Sequence, residues 1–254
     1  RWTICFIEAI ICYNGFNGLS GCLAANYALG KISPWLQNMK KSIIFALLIV
    51  LASFGVSAYF YPQMPETVVS HWDINGEANG YMSKFWGLFL MPIISLAIFL
   101  FFLAIPKIDP LKSNIEKFRK YFDAFIVVFL LFFLYVHLLT AAWNLGARFN
   151  MVQFMSPAFS VLFYCCGVLL EKAQRNWFIG IRTPWTISNE EVWGKTHRLA
   201  GKLFKIAGII ALGGLILPDA AFYLVIFPIL LFSLYITVYS YWEYKNISRK
   251  HKNL

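Results

Sequence analysis

The chain has 254 residues, of which 59% are hydrophobic, 19% aromatic and only 13% charged, with a formal net charge of +10. A soluble domain carries about a quarter charged residues, whereas here the apolar residues fall in blocks near the ~20-residue length that spans a bilayer, so a water-soluble globular domain is excluded. The basic excess does not point to nucleic acid, because no recognition fold or basic–aromatic motif accompanies it, and in a membrane chain Lys and Arg gather in cytoplasmic loops.

Residues 1–38 read as an N-terminal extension, either the tail of a longer protein or an upstream segment read in frame. The first methionine is Met39, followed by Lys40-Lys41 and an apolar run, the pattern of a natural start. Within the extension, residues 2–13 are apolar but interrupted by Glu8 and short for a span, which suits an interfacial helix. Cys5, Cys12 and Cys22 lie here, and Cys165 and Cys166 sit side by side in a later apolar run. No C-x-x-C spacing is present, so the cysteines indicate neither zinc nor a redox pair, and no cofactor or metal is expected.

Six apolar runs follow, at residues 42–60, 85–105, 121–142, 151–170, 203–217 and 220–242. The fifth is short, and the helix feeding it extends it toward the interface. The first run also resembles a signal peptide, with Val56-Ser57-Ala58 as the small-residue site. An uncleaved helix fits better with the aromatic Tyr59-Phe60-Tyr61 that follows at once. The basic residues then set the orientation. Lys31, Lys40 and Lys41 precede the first run, and only Lys84 follows it. Five basic residues between Lys107 and Lys120 come next, then Arg148 alone, then seven from Lys172 to Lys205, none in Pro218-Asp219, and four in the tail. This alternation places both termini in the cytoplasm.

The expected fold is therefore an all-α membrane protein. It is a bundle of six transmembrane helices with a small extracellular loop or hairpin and a cytoplasmic interfacial amphipathic helix. Three regions are expected: 1–38, 39–110 with two spans and the outer loop, and 111–254 with four spans.

Two polar loops interrupt the apolar blocks. The outer one, residues 61–84, has β-branched and aromatic residues from Thr67 to Trp72 and turn signals at Asn75-Gly76 and Asn79-Gly80, a hairpin pattern. Asp73, Asn75, Glu77 and Asn79 have the spacing of a calcium loop, but Gly falls at the wrong positions for an EF-hand. His71, Asp73 and Glu77 remain three potential metal ligands in what otherwise reads as a plain turn. The inner loop contains Ser188-Asn189-Glu190-Glu191, read as a capping box with Ser188 accepting from the Glu191 amide. The helix it starts is two-faced, with Val192, Trp193, Leu199, Ala200, Leu203 and Phe204 on one arc and Lys195, Arg198, Lys202 and Lys205 on another. His197 falls at the margin of the apolar arc. Gly180 and Pro184 keep residues 178–185 out of a helix, and Trp177, Trp185 and Trp193 suit an interfacial aromatic belt.

MPETVVSHWDINGEANGYMSK, followed by a transmembrane helix, resembles the HWDxxG-type N-terminal domain that accompanies SdpI-type proteins. NWFIGIRTPWTISNEEVWGKTHRLAGKLF, residues 176–204, resembles the signature of the SdpI family of integral-membrane immunity proteins. The resemblance runs from Met39 to the last span and implies a multi-pass bacterial membrane protein. It also implies resistance to a secreted toxic peptide and a receptor role that holds a transcriptional repressor at the membrane in signal transduction. On this reading His71, Trp72, Asp73, Gly76, Glu77, Gly80 and Lys84 meet the ligand outside. Inside, Asn176, Gly180, Arg182, Thr183, Pro184 and Trp185, with Trp193, Thr196, His197, Arg198 and Gly201, stabilise the fold or recruit a partner. The partners are then the lipid bilayer, a toxin peptide and a cytoplasmic repressor protein, with no direct nucleic-acid contact.

Two other functions stay open. His137 lies mid-way along the third span, where an ionisable residue is a functional hypothesis, and with Pro92, Pro157 and Pro228 kinking their helices it could line a transport path. Its plainer role is a neutral imidazole bonded to a neighbouring helix. The third function is a membrane enzyme with a metal held by His71, Asp73 and Glu77. No H-E-x-x-H, G-x-S-x-G or P-loop occurs, so catalysis is not expected.

Overall fold

The computed structural model describes residues 41–252, and the expectations for residues 1–38, for Met39 and for Cys5, Cys12 and Cys22 lie outside the described residues. Apolar blocks without charged interruptions become long helices, because only the helix satisfies its own backbone inside hydrocarbon. They are α1 (Lys41–Phe60), α2 (Lys84–Ile108), α4 (Arg119–Asn144), α5 (Met151–Lys172) and α8 (Ala221–Lys252). The polar linkers carry the rest: strands β1 (Thr67–Trp72) and β2 (Ala78–Ser83), the short helices α3 (Lys112–Lys117) and α6 (Pro184–Ser188), and α7 (Glu190–Leu212). Phe45–Leu254 forms one compact unit.

Among the described residues, five helices are long and apolar enough to cross a membrane, and only 17–33% of the most apolar window of each is buried. Two thirds or more of those windows face outward, which suits lipid as the solvent and would be an aggregation surface in water. The protein is thus an all-α membrane protein with one small antiparallel sheet. The fifth expected run, residues 203–217, is not among these five helices. It forms the apolar end of α7 and the 3-10 turn Gly213–Leu215, and the charged first half of α7 keeps that helix out of the set.

α7 packs most closely on α5 and then on α8. Its inward face is made of small residues, with Ala200, Ala207 and Ala211 at 0% exposure. At the crossing, a Cβ on Gly201 would stand 2.7 Å from the Gly167 carbonyl oxygen and one on Gly167 2.5 Å from that of Gly201. The two backbones touch, as small residues permit in membrane bundles. The α7–α5 pair is further joined by Lys205 and Glu171 at 2.7 Å. α7 is amphipathic as expected, but its apolar arc turns inward onto protein and not onto a lipid interface.

At the other end, the hairpin pairs Thr67 with Ser83, Val68 with Met82 and Val69 with Tyr81, then shifts register before His71–Gly80 and Trp72–Ala78. Met64, Val68, Leu88 and Ala141 pack together and seat it on α2 and α4.

Candidate functional site

The signature stretch folds as a cap against the ends of α2 and α5, the start of α7 and the Ser240 level of α8, and Asn176 organises it. Its side chain is fully buried. Its Nδ2 donates to the carbonyls of Gln174 and Ile179, both at 2.8 Å, and its Oδ1 accepts from the amides of Phe178 and Ile179 at 2.9 and 2.6 Å. All four bonds an amide can make locally go into turning the chain. The next link is Asp109, the C-cap of α2, which accepts from the amides of Leu111 and Trp177 at 2.6 and 2.9 Å. Nothing in the sequence pairs Asp109 with a backbone amide 68 residues away.

Gly180 follows at φ +118°, in the left-handed region, and a side chain there would run into His197 Nε2. His197 is 2% exposed and lies flat against Trp193, with ring centroids 3.9 Å apart. The Ile181 amide donates to His197 Nε2 at 3.0 Å, so that nitrogen is the lone-pair one. The ring hydrogen then sits on Nδ1 and is donated to the Trp193 carbonyl at 2.9 Å. Burial pushes the imidazole down to about 4, although the Trp193 carbonyl pulls the other way. The ring is therefore neutral at pH 7, a wedge between the loop and α7. Trp193 itself is 2% exposed and donates its indole N–H to the Ala173 carbonyl at 2.8 Å. It belongs to the interior, and the belt expected of the three tryptophans reduces to Trp177, which is exposed, and Trp185, half-buried against Tyr241.

Thr183 closes the loop. It caps α6 reciprocally with Thr186: Thr183 Oγ1 accepts from the Thr186 amide and Thr186 Oγ1 from the Thr183 amide. Thr183 Oγ1 also meets Ser240 Oγ of α8 at 3.0 Å. Pro184 starts α6, where a missing amide hydrogen costs nothing, so that end of the expected loop is helical. The capping box at Ser188 does not form. Ser188 ends α6, and Asn189 is the cap of α7, accepting from the amides of Glu191 and Val192. Thr196 and Gly201 lie on the buried face, and Arg198 is exposed. Arg182, also exposed, donates to the Trp177 carbonyl at 2.7 Å. Lys195 bridges Glu243 of α8 and Glu191, which together raise its pKa.

The hairpin end is built differently. Asp73 Oδ1 accepts from the amides of Asn75 and Glu77, both at 2.9 Å, and the Glu77 amide leads the causes that hold its carboxyl below the ordinary value. Gly76 sits at φ +82°, and the Asn75 carbonyl accepts from Asn150 Nδ2 at 2.8 Å. Asn144 clamps β1: its Oδ1 accepts from the Val69 amide at 2.7 Å and its Nδ2 donates to the Val69 carbonyl at 2.9 Å, as a third strand would. Lys84 pairs with Glu66 at 3.5 Å and lies over the Tyr61 ring. His71, opposite Gly80, bonds Asn79. The three-ligand arrangement of His71, Asp73 and Glu77 is not assembled; among the described residues no group of His, Cys, Asp and Glu is gathered to hold a metal ion.

Behind the hairpin tip lies a groove of about 280 Å³. His71, Trp72, Asp73 and Ile74 form one wall, Val152, Met155 and Phe159 of α5 another, and Phe222, Val225 and Ile226 of α8 the third. Gly76, Glu77, Gly80 and Lys84 do not line it. The Trp72 indole N–H is shielded from solvent and has no hydrogen-bond partner among the described residues. Trp72 packs edge-on against Trp143, over which Arg148 lies at 4.1 Å. Mid-bundle, His137 is 1% exposed, with Nε2 3.0 Å from Ser57 Oγ.

Residues 172–240, which hold the cap, α7 and most of α8, match the SdpI/YfhL protein family. Residues 48–96, which hold most of α1, the hairpin and the first half of α2, match a domain of unknown function, DUF1648. Over 211 residues the chain is 28% identical to Immunity protein SdpI of Bacillus subtilis (strain 168), covering 83% of this chain and 99% of that protein. No solved structure matches. The family resemblance carried by the two loops is thereby borne out: one segment similar to the SdpI/YfhL family and one similar to DUF1648 lie in a chain whose similarity to SdpI extends over most of its length.

Proposed function

We propose that this is a multi-pass immunity protein that protects the membrane from a secreted, membrane-active toxin peptide. The hairpin faces outward and both termini face the cytoplasm. The observation that carries the reading is the groove behind the hairpin tip. Its walls are largely apolar, and its rim offers His71 and Asp73. Apolar walls with a few placed polar groups suit an amphipathic peptide segment. The similarity to an immunity protein over nearly its full length supports the same role.

At the basic end, the exposed Trp177, Arg182 and Arg198 form the surface on which a cytoplasmic repressor protein docks. The hairpin of residues 39–110 then shares ligand capture with α5 and α8 of residues 111–254, and the cap within 111–254 serves the relay. Binding, rather than chemistry, is the task of both ends. The test is expression in a toxin-sensitive bacterial host challenged with the secreted peptide. Wild type should restore survival, and Met155→Trp, which fills the groove, should abolish protection at an unchanged membrane level. Equal protection by both proteins would remove the groove from the proposal, and none by wild type would remove immunity.

A further inference from the structure

α2 contains Pro92. Proline has no amide hydrogen, so the carbonyl four residues earlier, on Leu88, loses the donor that would close its helical turn, and the ring presses that carbonyl aside. Inside a bilayer no water replaces the lost bond, and neighbouring side chains must do so.

The Leu88 carbonyl finds Ser57 Oγ of α1 at 2.7 Å. Ser57 is fully buried, and its other carbonyl neighbour, Ser53 on its own helix, is farther away at 3.2 Å. A hydroxyl has one hydrogen to give. With that hydrogen on Leu88, His137 Nε2 of α4, 3.0 Å from Ser57 Oγ, is the donor to the serine oxygen. The imidazole hydrogen then sits on Nε2, and Nδ1 is the lone-pair nitrogen. Nδ1 is the ring atom without a hydrogen-bond partner among the described residues. The chain of bonds thus runs in one direction, from His137 to Ser57 to Leu88, and crosses three helices.

We infer that His137 and Ser57 form a splice that satisfies the backbone carbonyl released by Pro92 and fixes the helix ends that carry the hairpin. The second half rests on position. The Leu88 side chain packs with Val68 of β1 and with Ala141, one turn beyond His137 on α4. Asn144, in the last turn of the same helix, clamps Val69. The splice therefore lies directly beneath the hairpin seat. His137 is a positioning residue, and its donor is spent on protein rather than offered to a solute.

The experiment is a double-mutant cycle on the full-length protein in detergent, read as the midpoint of thermal unfolding. Ser57→Ala leaves the Leu88 carbonyl bare and should lower the midpoint by several degrees. Pro92→Ala restores an amide that can close on Leu88, so Ser57→Ala in the Pro92→Ala background should cost clearly less, the remainder being the His137 N–H left without its acceptor. Hydrogen exchange at the Val69 amide should quicken in Ser57→Ala and return toward wild type in the double variant. If Ser57→Ala does not accumulate, recovery of membrane-inserted double variant carries the same meaning. An equal penalty for Ser57→Ala with and without Pro92→Ala, or a double variant as depleted as the single one, overturns the inference.

Discussion

The two polar ends of this molecule spend their hydrogen-bonding groups in opposite ways. In the cap, Asn176, Asp109, His197, Trp193, Thr183 and Thr186 all bond inward, mostly to backbone. At the hairpin, Asp73, Asn144 and Asn150 fix the frame, while the indole N–H of Trp72 has no hydrogen-bond partner among the described residues and the groove beside it is largely apolar. A motif with high family specificity can thus be mainly architectural, and the less conspicuous loop can hold the place for a ligand.

Five measurements sharpen or break this contrast. The largest effect is expected for Asn176→Ala, which strands several buried backbone groups and should cost on the order of 3–5 kcal/mol in the unfolding of the purified protein. A surface motif would shift by a few tenths at most. Acidification comes next. His197 has its folded pKa lowered to about 4 from an ordinary ~6.5, so below 6.5 the unfolded chain binds the extra proton first. Its contribution is complete above pH 6.5 and is lost as pH falls toward 4, about 3 kcal/mol in all. The loss should begin between pH 6.5 and 5, before most carboxylates titrate, and a flat stability profile there would contradict a buried neutral wedge.

Gly180→Ala should cost roughly 2–3 kcal/mol, since a side chain is forced into the left-handed region and against His197. At the hairpin, Asn144→Ala should cost about 1–2 kcal/mol and speed amide exchange at Val69, leaving the cap unchanged. The smallest stability effect belongs to Met155→Trp at the open groove, whose unfolding midpoint should stay near wild type while protection is lost. If Asn176→Ala abolished protection without loss of stability, the roles of the two ends would have to be exchanged.

The long helices were legible because block length and the absence of charge leave few alternatives, and the hairpin because its turn signals sit between β-branched residues. The cap of α7 shifted by one residue, from Ser188 to Asn189. Both can cap, and the choice fell to α6, which ends at Ser188 and leaves Asn189 extended. Trp193 looked interfacial by type, but its indole found the Ala173 carbonyl 20 residues away. The groove was not legible at all, since its walls come from residues 71–74, 152–159 and 222–226. His137 stood out as an intramembrane histidine; its partner, a serine 80 residues earlier, carried no signal except the proline that creates the need for it.

α7 has one more consequence, and it concerns the lipid. At 1.5 Å per residue its 23 residues extend about 35 Å, enough to cross, yet the stretch after Lys202 is only about 15 Å long. Arg198 and Lys202 stand on the exposed side of the first half, so lipid phosphates can meet them at the bilayer surface while only the apolar end reaches hydrocarbon. Reconstitution in anionic lipids should therefore suit this protein better than neutral ones, a preference written by a single helix.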